Sequence, residues 1–257
     1  MPPADLIDLV REQPETSGFV LDFDGTLSPI VPEPDRAAPV PGAAERLAAL
    51  AARYRMVALV SGRRARDLER RVGADGIRYV GLYGAETSTN GRVTQSPKAA
   101  RWRAAATAIA DEADAFLARE GLAGCTVERK DLTVSIHYRN AQVPDAAQAV
   151  EAWAAQRAAS DGFAATRGRM VIELRPHGMT KARAVEDLVL EYSLTRIVIA
   201  GDDAADLEMF DRVTEMLGGG ALRVGVSSAE QPARLESASD LLVSGPDEVV
   251  ELLGRFL

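Results

Sequence analysis

The sequence predicts an α/β protein whose parallel sheet is interrupted by an inserted α+β domain. In the first and last thirds of the chain, apolar runs short enough for buried strands alternate with helical patterns, as is typical of a parallel sheet. Between about Pro97 and Pro176 the order changes to a long helix, two strands, a second helix and two further strands. We therefore expect a discontinuous core domain, residues 1–97 and 177–257, and an inserted domain, residues 98–176.

The elements of the first core segment follow from apolar runs and from the residues that interrupt them. An apolar strand at 18–21 leads into a Pro-rich stretch at 29–41, which predicts an extended loop. An alanine-rich helix opens after Pro41-Gly42 and runs to about Tyr54. The remaining predicted elements of this segment are a strand at 56–60, a helix at 64–72 and a strand at 78–83.

The elements of the inserted region and of the last core segment follow from the same kinds of pattern. The inserted region predicts a helix from Lys98, strands near 125–129 and 132–139, a helix near 144–158, and strands near 163–167 and 170–175. The last segment predicts helices at 180–192 and 204–213, a strand at 196–200, and short strands near 222–226 and 240–243. Pro246 begins a final amphipathic helix, whose predicted apolar face is Val249, Val250, Leu252, Leu253 and Phe256. The large aromatic residues of the inserted region are interpreted as packed core: Trp102, Phe116 and Trp153.

Composition narrows the class of protein. A formal charge of −8 argues against nucleic-acid partners, which need a basic surface. The apolar runs are shorter than the roughly 20 residues that span a bilayer, and the first residues carry no basic-then-apolar signal. The single cysteine, Cys125, cannot form an internal disulfide. We therefore expect a cytoplasmic monomer or weak dimer without membrane or nucleic-acid partners.

Two aspartates follow the first apolar run and are separated by one residue, in Asp22-Phe23-Asp24-Gly25-Thr26. Side chains alternate along an extended strand, so Asp22 and Asp24 share one side and Phe23 points to the other layer. Such a pair can hold a divalent cation. Alternatively, one carboxylate can act as a nucleophile while the other transfers a proton. A Ca²⁺ loop of the EF-hand type fails because Thr26 and Leu27 occupy its acidic and glycine positions. An ordinary Asp-Gly turn is the alternative for this segment alone.

A second strand ends in Ser61-Gly62-Arg63. A hydroxyl and free backbone N–H groups at the start of a helix form a natural seat for a phosphate group. We therefore expect Ser61 to hold phosphoryl oxygens and Gly62 and Arg63 to contact the substrate. Alone, this segment is a common helix start.

A third strand ends in Gly201-Asp202-Asp203, with Asp206 one helical turn later. These carboxylates supply further oxygen ligands for a metal. Lys181 lies between the second and third segments, at the predicted start of a helix. A lysine there can neutralise carboxylates and phosphate, whereas a solvated helix lysine is the alternative.

In this order the motifs resemble those of the haloacid dehalogenase superfamily. The resemblance implies a Rossmann-like parallel-sheet core with a cap domain. It implies that Asp22 is a nucleophile that becomes an aspartyl phosphate, and that Asp24 is the acid/base. Ser61 and Lys181 would hold the phosphoryl oxygens. Asp22, the backbone carbonyl of Asp24, Asp202 and next Asp206 would hold Mg²⁺, with Asp203 a weaker candidate.

A narrower resemblance points to the trehalose-6-phosphate phosphatase family. It is carried by Leu21-Asp22-Phe23-Asp24-Gly25-Thr26-Leu27-Ser28-Pro29-Ile30 and by Gly81-Leu82-Tyr83-Gly84-Ala85-Glu86. The family also has polar clusters in its cap that bind the sugar. The corresponding substrate-binding residues here would be Glu86, Lys130, His137, Arg139, Glu173 and Arg175. His137 with Arg139, and Glu173 with Arg175, alternate with apolar neighbours, so each pair is predicted to project from one face of a strand. An exposed strand face with salt bridges is the alternative.

The resemblance implies an Mg²⁺-dependent phosphatase that hydrolyses trehalose 6-phosphate. The family usually has glycine after the motif lysine and Thr-Asp-Glu after the acidic pair, where this chain has Ala182 and Ala205-Asp206-Leu207. Another glycosyl or pseudo-disaccharide phosphate is therefore an alternative substrate. A sugar phosphomutase and a non-enzymatic sugar-phosphate sensor are further alternatives. A P-type ATPase is excluded, because Phe23 stands where its lysine should be.

Overall fold

The computed structural model describes residues 3–168, 170–228 and 231–257. The chain folds into two compact units. The first, here called the core unit, runs to Thr94 and resumes at Thr180, and the second, the insert unit, is Gln95–Met179. The boundaries predicted from the sequence are 97/98 and 176/177. The functional roles expected of the two units stay predictions.

The helices and strands of the described residues have the following bounds. The helices are α1 Pro3–Glu12, α2 Ala43–Arg53, α3 Ala65–Val72, α4 Pro97–Arg119, α5 Ala146–Asp161, α6 Lys181–Tyr192, α7 Ala204–Leu217, α8 Leu235–Ala238 and α9 Pro246–Gly254. The strands are β1 Ser17–Leu21, β2 Met56–Val60, β3 Arg78–Gly81, β4 Glu86–Thr89, β5 Arg92–Gln95, β6 Thr126–Arg129, β7 Val134–His137, β8 Phe163–Gly168, β9 Val171–Pro176, β10 Arg196–Gly201, β11 Ala221–Val226 and β12 Leu241–Val243. None of these helices is both long and apolar enough to cross a bilayer.

The core unit is built on a mostly parallel sheet. In the described residues its strand order is β12-β11-β10-β1-β2-β3-β4-β5. The pairs from β12 to β3 are parallel, and β3 pairs with β4 in antiparallel orientation. Every residue of β1 and β2 is buried, as expected of central strands covered by helices on both faces. This arrangement confirms the predicted α/β class.

Alternate residues of β1 enter two apolar layers. Phe19 and Leu21 pack with α2 and α9 on one side of the sheet, and Phe23 continues that side. Val20 packs on the other side with residues of α6 and α7. Phe23 is fully buried in the first layer, as predicted.

The core unit contains elements that the sequence analysis does not predict. The predicted strand at 78–83 stops at Gly81, because Leu82 and Tyr83 adopt positive φ angles of 47° and 54° in a tight turn. The short strands β4 and β5 and the short helix α8 are missed because they lack an apolar run of useful length. Helix α1 is also missed, although it buries Leu6, Ile7 and Val10.

The insert unit is a four-stranded antiparallel sheet, β6-β7-β9-β8, with α4 and α5. One face of the sheet is apolar and packs on the helices, with the buried residues Val134, Ile136, Phe163, Ile172 and Leu174. Cross-strand partners share a face, so the opposite face carries Glu128, Ser135 and Glu173 in one row. The prediction that the three aromatic residues are core is confirmed: Phe116 stacks on Trp153, and Trp102 contacts Phe163 edge to face.

An aromatic cluster links the first strand of the core unit to the residues that follow α2 and α9. The ring of Phe19 contacts those of Tyr54 and Phe256 edge to face, at centroid distances of 4.8 and 5.1 Å. The hydroxyl of Tyr54 donates a hydrogen bond to the carbonyl oxygen of Phe256 over 2.7 Å. Phe256 is fully buried, so its side chain holds the segment after α9 against the centre of the sheet.

We expect Phe256→Ala to lower the free energy of unfolding by about 3–5 kcal/mol, because it leaves a cavity beside the central strand. Leu257→Ala is the control, since that neighbour is 37% exposed and its side chain should matter by less than about 0.5 kcal/mol. Urea unfolding of both variants measures the difference. Equal stabilities would show that the cluster does not anchor this segment.

Candidate active site

Three predicted site residues are brought together by strand order. β1 lies between β10 and β2, and Asp22, Asp202 and Ser61 directly follow these three strands. The backbone N–H of Asp22 donates to the carbonyl of Ala200 over 3.1 Å, and that of Ser61 donates to Val80 over 3.0 Å. The parallel pairing therefore continues one residue beyond β1 and β2 and fixes where the side chains of Asp22 and Ser61 begin, at the edge where α/β sheets bind ligands.

The turn after Asp22 needs a glycine. Gly25 has a φ of 84°, and a Cβ atom on it would lie 2.2 Å from Oδ2 of Asp202. A side chain at this position would therefore displace the carboxylate as well as strain the backbone. The backbone at Gly25 thus passes directly beside Asp202. The segment that contains Asp22 and the segment that contains Asp202 are therefore in contact.

Lys181 is the cation of this site. It is the first residue of α6, and the hydroxyl of Thr180 caps that helix by accepting from the N–H of Arg183. Its Nζ lies 2.8 Å from Oδ1 of Asp22 and 2.8 Å from Oδ1 of Asp206. Lys181 is 3% exposed, so the prediction of a fixed cation at a helix start is confirmed and its alternative, a solvated lysine, is wrong.

Asp206 and Asp203 are held by backbone groups. Oδ2 of Asp206 accepts from the N–H groups of Asp202 and Asp203 over 2.9 and 3.0 Å. Oδ1 of Asp203 accepts in return from the N–H of Asp206, so the two residues form a capping box at the start of α7. A Cβ atom on Gly201 would lie 2.3 Å from the Cβ of Asp206. Asp206 is thus locked beneath the turn that presents Asp202.

The acidic residues fit a hard divalent cation. Oxygen atoms of Asp22, Asp202 and Asp206 lie within 4.8 Å of one another, and all three residues are buried. At that distance each like-charged pair is repelled by roughly 3–4 kcal/mol at an effective dielectric of about 20. Among the described residues, Oδ1 of Asp202 is buried without a hydrogen-bond partner. An unsatisfied buried carboxylate oxygen in an all-oxygen donor set matches the coordination preference of Mg²⁺.

The charges of this cluster shift its pKa values. Burial raises the pKa of Asp22 to about 7 despite the opposing charge of Lys181. Burial, with the charges of Asp206 and Asp203, likewise raises the pKa of Asp202 to about 7. For Lys181, burial acts downward, but the charges of Asp203, Asp206 and Asp22 outweigh it and raise its pKa. Lys181 therefore stays charged, whereas Asp22 and Asp202 keep their protons to a higher pH than ordinary aspartates do, because their pKa values are raised.

Asp24 is not part of this carboxylate cluster. Its two oxygen atoms accept hydrogen bonds from the guanidinium of Arg63, and its side chain is 40% exposed. The expected metal contact through its backbone carbonyl stays a prediction. Arg63 is therefore placed against Asp24, whereas the sequence analysis assigns it to the substrate.

Glu86 also occupies a place that the sequence analysis does not foresee. It is 1% exposed, its Oε1 accepts from Arg64, and its Oε2 accepts from the N–H of Ala65 at the start of α3. The structure thus places its carboxylate at the N-terminus of a helix rather than free for a ligand. Tyr83, for which the sequence predicts no role, lies next to Gly62: a Cβ atom on Gly62 would be 2.8 Å from the hydroxyl of Tyr83.

The predicted sugar-binding residues belong to the insert unit, where several form one polar cluster. Nζ of Lys130 lies 3.5 Å from Oε1 of Glu173 and 3.4 Å from Oε2 of Glu128. Nε2 of His137 lies 2.8 Å from Oε2 of Glu128. Glu128 was missed by sequence reasoning, because only the strand register places it beside His137 and Lys130. Glu128 connects these two predicted residues.

Two further predicted residues differ in their surroundings. Glu173 and Arg175 alternate along β9 as predicted, and Arg175 is buried. β7 ends at His137, so Arg139 lies beyond the strand and is exposed. The prediction that His137 and Arg139 share a strand face is therefore wrong, because the chain turns at residues 139–140.

The fold is that of haloacid dehalogenase-like hydrolases. A haloacid dehalogenase-like hydrolase from Bacteroides thetaiotaomicron matches with a TM-score of 0.63 at 17% identity, covering 94% of this chain and 99% of that one. The C-terminal domain of the C. albicans trehalose-6-phosphate phosphatase matches with a TM-score of 0.79 at 22% identity, covering 100% of this chain and 97% of that domain. At these identities the similarity shows a shared fold alone.

The family follows from sequence. The trehalose-phosphatase family model matches residues 20–243, so the chain belongs to the trehalose-phosphatase family. A trehalose-phosphate phosphatase from Mycobacterium marinum is 39% identical over 246 residues. That match covers 91% of this chain and 60% of the relative, so the chain spans less than two thirds of that protein's length.

Without a divalent metal, the acidic cluster should make the core unit less stable as the pH rises. Between about pH 4 and pH 7 the folded protein holds protons on Asp22 and Asp202 that the unfolded chain has released, given folded pKa values near 7 and an ordinary value of 3.8. The free energy of unfolding therefore falls as pH rises through this window. We expect Asp202→Asn in EDTA to raise Tm by about 2–8 °C at pH 8 and by little at pH 5.

Thermal unfolding at both pH values, with and without Mg²⁺, checks this expectation. Added Mg²⁺ should stabilise the wild type at pH 8 more than the variant, because it replaces the missing protons. A wild type that gains stability relative to Asp202→Asn between pH 5 and pH 8 in EDTA would contradict the charge analysis.

Proposed function

We propose that this protein is a divalent-metal-dependent phosphatase that hydrolyses trehalose 6-phosphate to trehalose and phosphate. Family membership supports the substrate, because the relatives carry the name trehalose-phosphate phosphatase. The observation that carries the chemistry is the buried Lys181–Asp22 contact of 2.8 Å, set among further carboxylates at the strand ends. A nucleophile, a fixed cation and oxygen ligands for a metal at one sheet edge suit phosphoryl transfer.

Asp22 is the proposed nucleophile. Lys181 holds its Oδ1 and fixes the orientation of the carboxylate, so that the other oxygen can attack phosphorus in line with the ester bond. The bond from phosphorus to the sugar oxygen breaks as the aspartyl phosphate forms. Asp24 donates a proton to the departing alcohol, then accepts a proton from the water that attacks phosphorus, which releases phosphate and restores Asp22.

Further residues at the strand ends of the core unit are proposed to bind and orient the phosphoryl group. We assign its oxygen atoms to Ser61, to the backbone N–H groups that follow it, and to Lys181. Asp22 and Asp202, with the carbonyl of Asp24, are the proposed ligands of Mg²⁺. A bound Mg²⁺ would neutralise phosphate charge and orient it for attack. Asp206 has both oxygens engaged by Lys181 and backbone N–H groups, so it suits positioning Asp202 and Lys181 better than direct coordination.

The sugar is assigned to the polar face of the insert unit. Lys130, His137 and Glu173 offer charged donors and acceptors to a hydroxyl-rich disaccharide, and Glu128 holds the first two in place. Charged side chains that hydrogen-bond a ligand hydroxyl discriminate well against ligands that lack it. Substrate selection would therefore depend on the insert unit and chemistry on the core unit.

We expect Asp22→Asn to lower phosphate release by at least roughly a thousandfold, because an amide cannot act as the nucleophile. Phosphate release with Mg²⁺ is measured on trehalose 6-phosphate, sucrose 6-phosphate, glucose 6-phosphate and an aryl phosphate. Preference of the wild type for trehalose 6-phosphate supports the proposal. Activity on the aryl ester alone would point to another glycosyl phosphate, and isomerised sugar phosphate without free phosphate would point to a mutase. Undiminished turnover by Asp22→Asn would exclude the mechanism.

We expect Glu173→Ala to lower kcat/KM for the disaccharide phosphate by about 10- to 100-fold, the effect of removing one charged hydrogen-bond partner. Turnover of the aryl phosphate, which has no sugar, should change by less than about threefold. Glu151→Ala is the matched control, because Glu151 pairs with Arg167, which shares the helix-covered face with Ile172. Equal losses on both esters would remove Glu173 from sugar selection.

A further inference from the structure

Arg63 holds Asp24 with a bidentate contact. Its Nε donates to Oδ2 of Asp24 over 2.6 Å, and its Nη2 donates to Oδ1 over 2.7 Å. Both carboxylate oxygens therefore accept from one rigid guanidinium, which fixes the plane of the carboxylate as well as its position. The arginine is the better buried partner, with its side chain 15% exposed against 40% for Asp24.

Arg63 is itself immobilised from several directions. Its guanidinium lies over the ring of Phe23, 5.5 Å from the centroid. Its Nη2 also donates to the carbonyl of Pro34 over 2.9 Å, and its Nη1 lies 3.6 Å from Asp67. Its backbone N–H donates to Oγ of Ser61 over 3.1 Å. A side chain held by so many groups can act as a rigid support for a half-exposed carboxylate.

These contacts occupy the bidentate fork that Nε and Nη2 of Arg63 form. A guanidinium has five N–H groups; two of those on Arg63 point to Asp24, and Nη2 also serves Pro34. Binding the phosphoryl group through the same fork would break the contact with Asp24. The geometry therefore favours a role in which Arg63 acts on the carboxylate of Asp24 over one in which Arg63 contacts the substrate directly.

We propose that Arg63 is a positioning residue that orients the carboxylate of Asp24 for proton transfer to and from the reacting oxygen atoms. The inference rests on the proposed function, since orientation matters only if Asp24 is the acid/base. The consequence depends on the leaving group. A sugar alcohol needs a proton as it departs, whereas nitrophenolate departs without one. Loss of Arg63 should therefore slow phosphorylation of the enzyme by the sugar ester and spare phosphorylation by the aryl ester.

The test compares Arg63→Ala and Arg63→Lys with the wild type and with Asp24→Asn. On trehalose 6-phosphate we expect kcat to fall by about 10- to 100-fold in Arg63→Ala, part of the roughly 10²- to 10⁴-fold that general acid–base catalysis contributes. KM should change by less than about threefold. Arg63→Lys should recover only part of the loss, because an ammonium cannot make the bidentate contact.

Rapid mixing with p-nitrophenyl phosphate gives the decisive readout. In Arg63→Ala the first turnover should release nitrophenolate at close to the wild-type rate, in a burst of one equivalent per enzyme. Steady-state turnover should then be slow, because water attack on the aspartyl phosphate still needs Asp24 as base. Asp24→Asn should show the same pattern in stronger form. A purely structural defect would slow the burst together with turnover of the sugar ester.

Arg71→Ala controls for the loop contact. Arg71 donates to the carbonyls of Asp35 and Ala37 and to Asp67, so it holds the same loop as Arg63 without a contact to Asp24. It should leave the ratio of sugar-ester to aryl-ester turnover unchanged. Thermal unfolding of all variants identifies any that are misfolded, and Arg63→Lys, which keeps the charge, serves in place of a misfolded Arg63→Ala.

Two results would overturn the inference in different ways. If Asp24→Asn shows the leaving-group pattern and the Arg63 variants instead lose the burst and raise KM on both esters, Arg63 binds the phosphoryl group and only the positioning role fails. If the wild type releases phosphate from no ester and forms no phosphoenzyme, the proposed function fails and the role of Arg63 fails with it.

Discussion

The site depends on one ammonium group placed among carboxylates. Lys181 lies 2.8 Å from both Asp22 and Asp206, and without it three buried like charges would face one another. Its position comes from packing: α6 buries Val185 and Leu188 in the apolar layer shared with Val20 of β1. The same layer therefore supports the lysine and the strand that ends at Asp22. A change in this packing would move the ammonium group relative to Asp22, and a shift of about 1 Å would matter for the in-line attack proposed for that residue.

The single positive charge of Lys181 does not neutralise the negative charges of the surrounding carboxylates. This excess of negative charge affects both the stability of the folded protein and the binding of a metal. The excess negative charge and burial appear as pKa values near 7 for Asp22 and Asp202. The same excess favours a divalent cation, which suits a reaction whose substrate brings further negative charge. The carboxylates of the site differ in their surroundings. Asp206 stabilises the turn at β10, Asp202 keeps an unsatisfied oxygen among the described residues, and Asp24 is half-exposed beside Arg63.

Much of the fold could be predicted because its central strands are continuous apolar runs. β2 has the predicted bounds, and the predicted start of α6 lies within one residue of the observed one. Elements were predicted less well where their formation depends on tertiary contacts and not on a local pattern of apolar residues. β4 and β5 have few apolar residues and lie at the edge of the sheet, beside β3. Arg139 was assigned to a strand that ends two residues earlier, because alternation alone does not show where a chain turns.

The sequence by itself determined which residues reach the edge of the sheet. Asp22, Ser61 and Asp202 each follow an apolar run, and a buried strand must present its next residues at its carboxyl end. Only the tertiary structure decided which partners these groups meet. Arg63 contacts Asp24 across 39 positions, Glu86 closes the start of α3 across 21, and Asp206 meets Lys181 across 25. Such pairs depend on distances between separate elements, and these distances are set by packing of the layers, which local residue patterns do not specify.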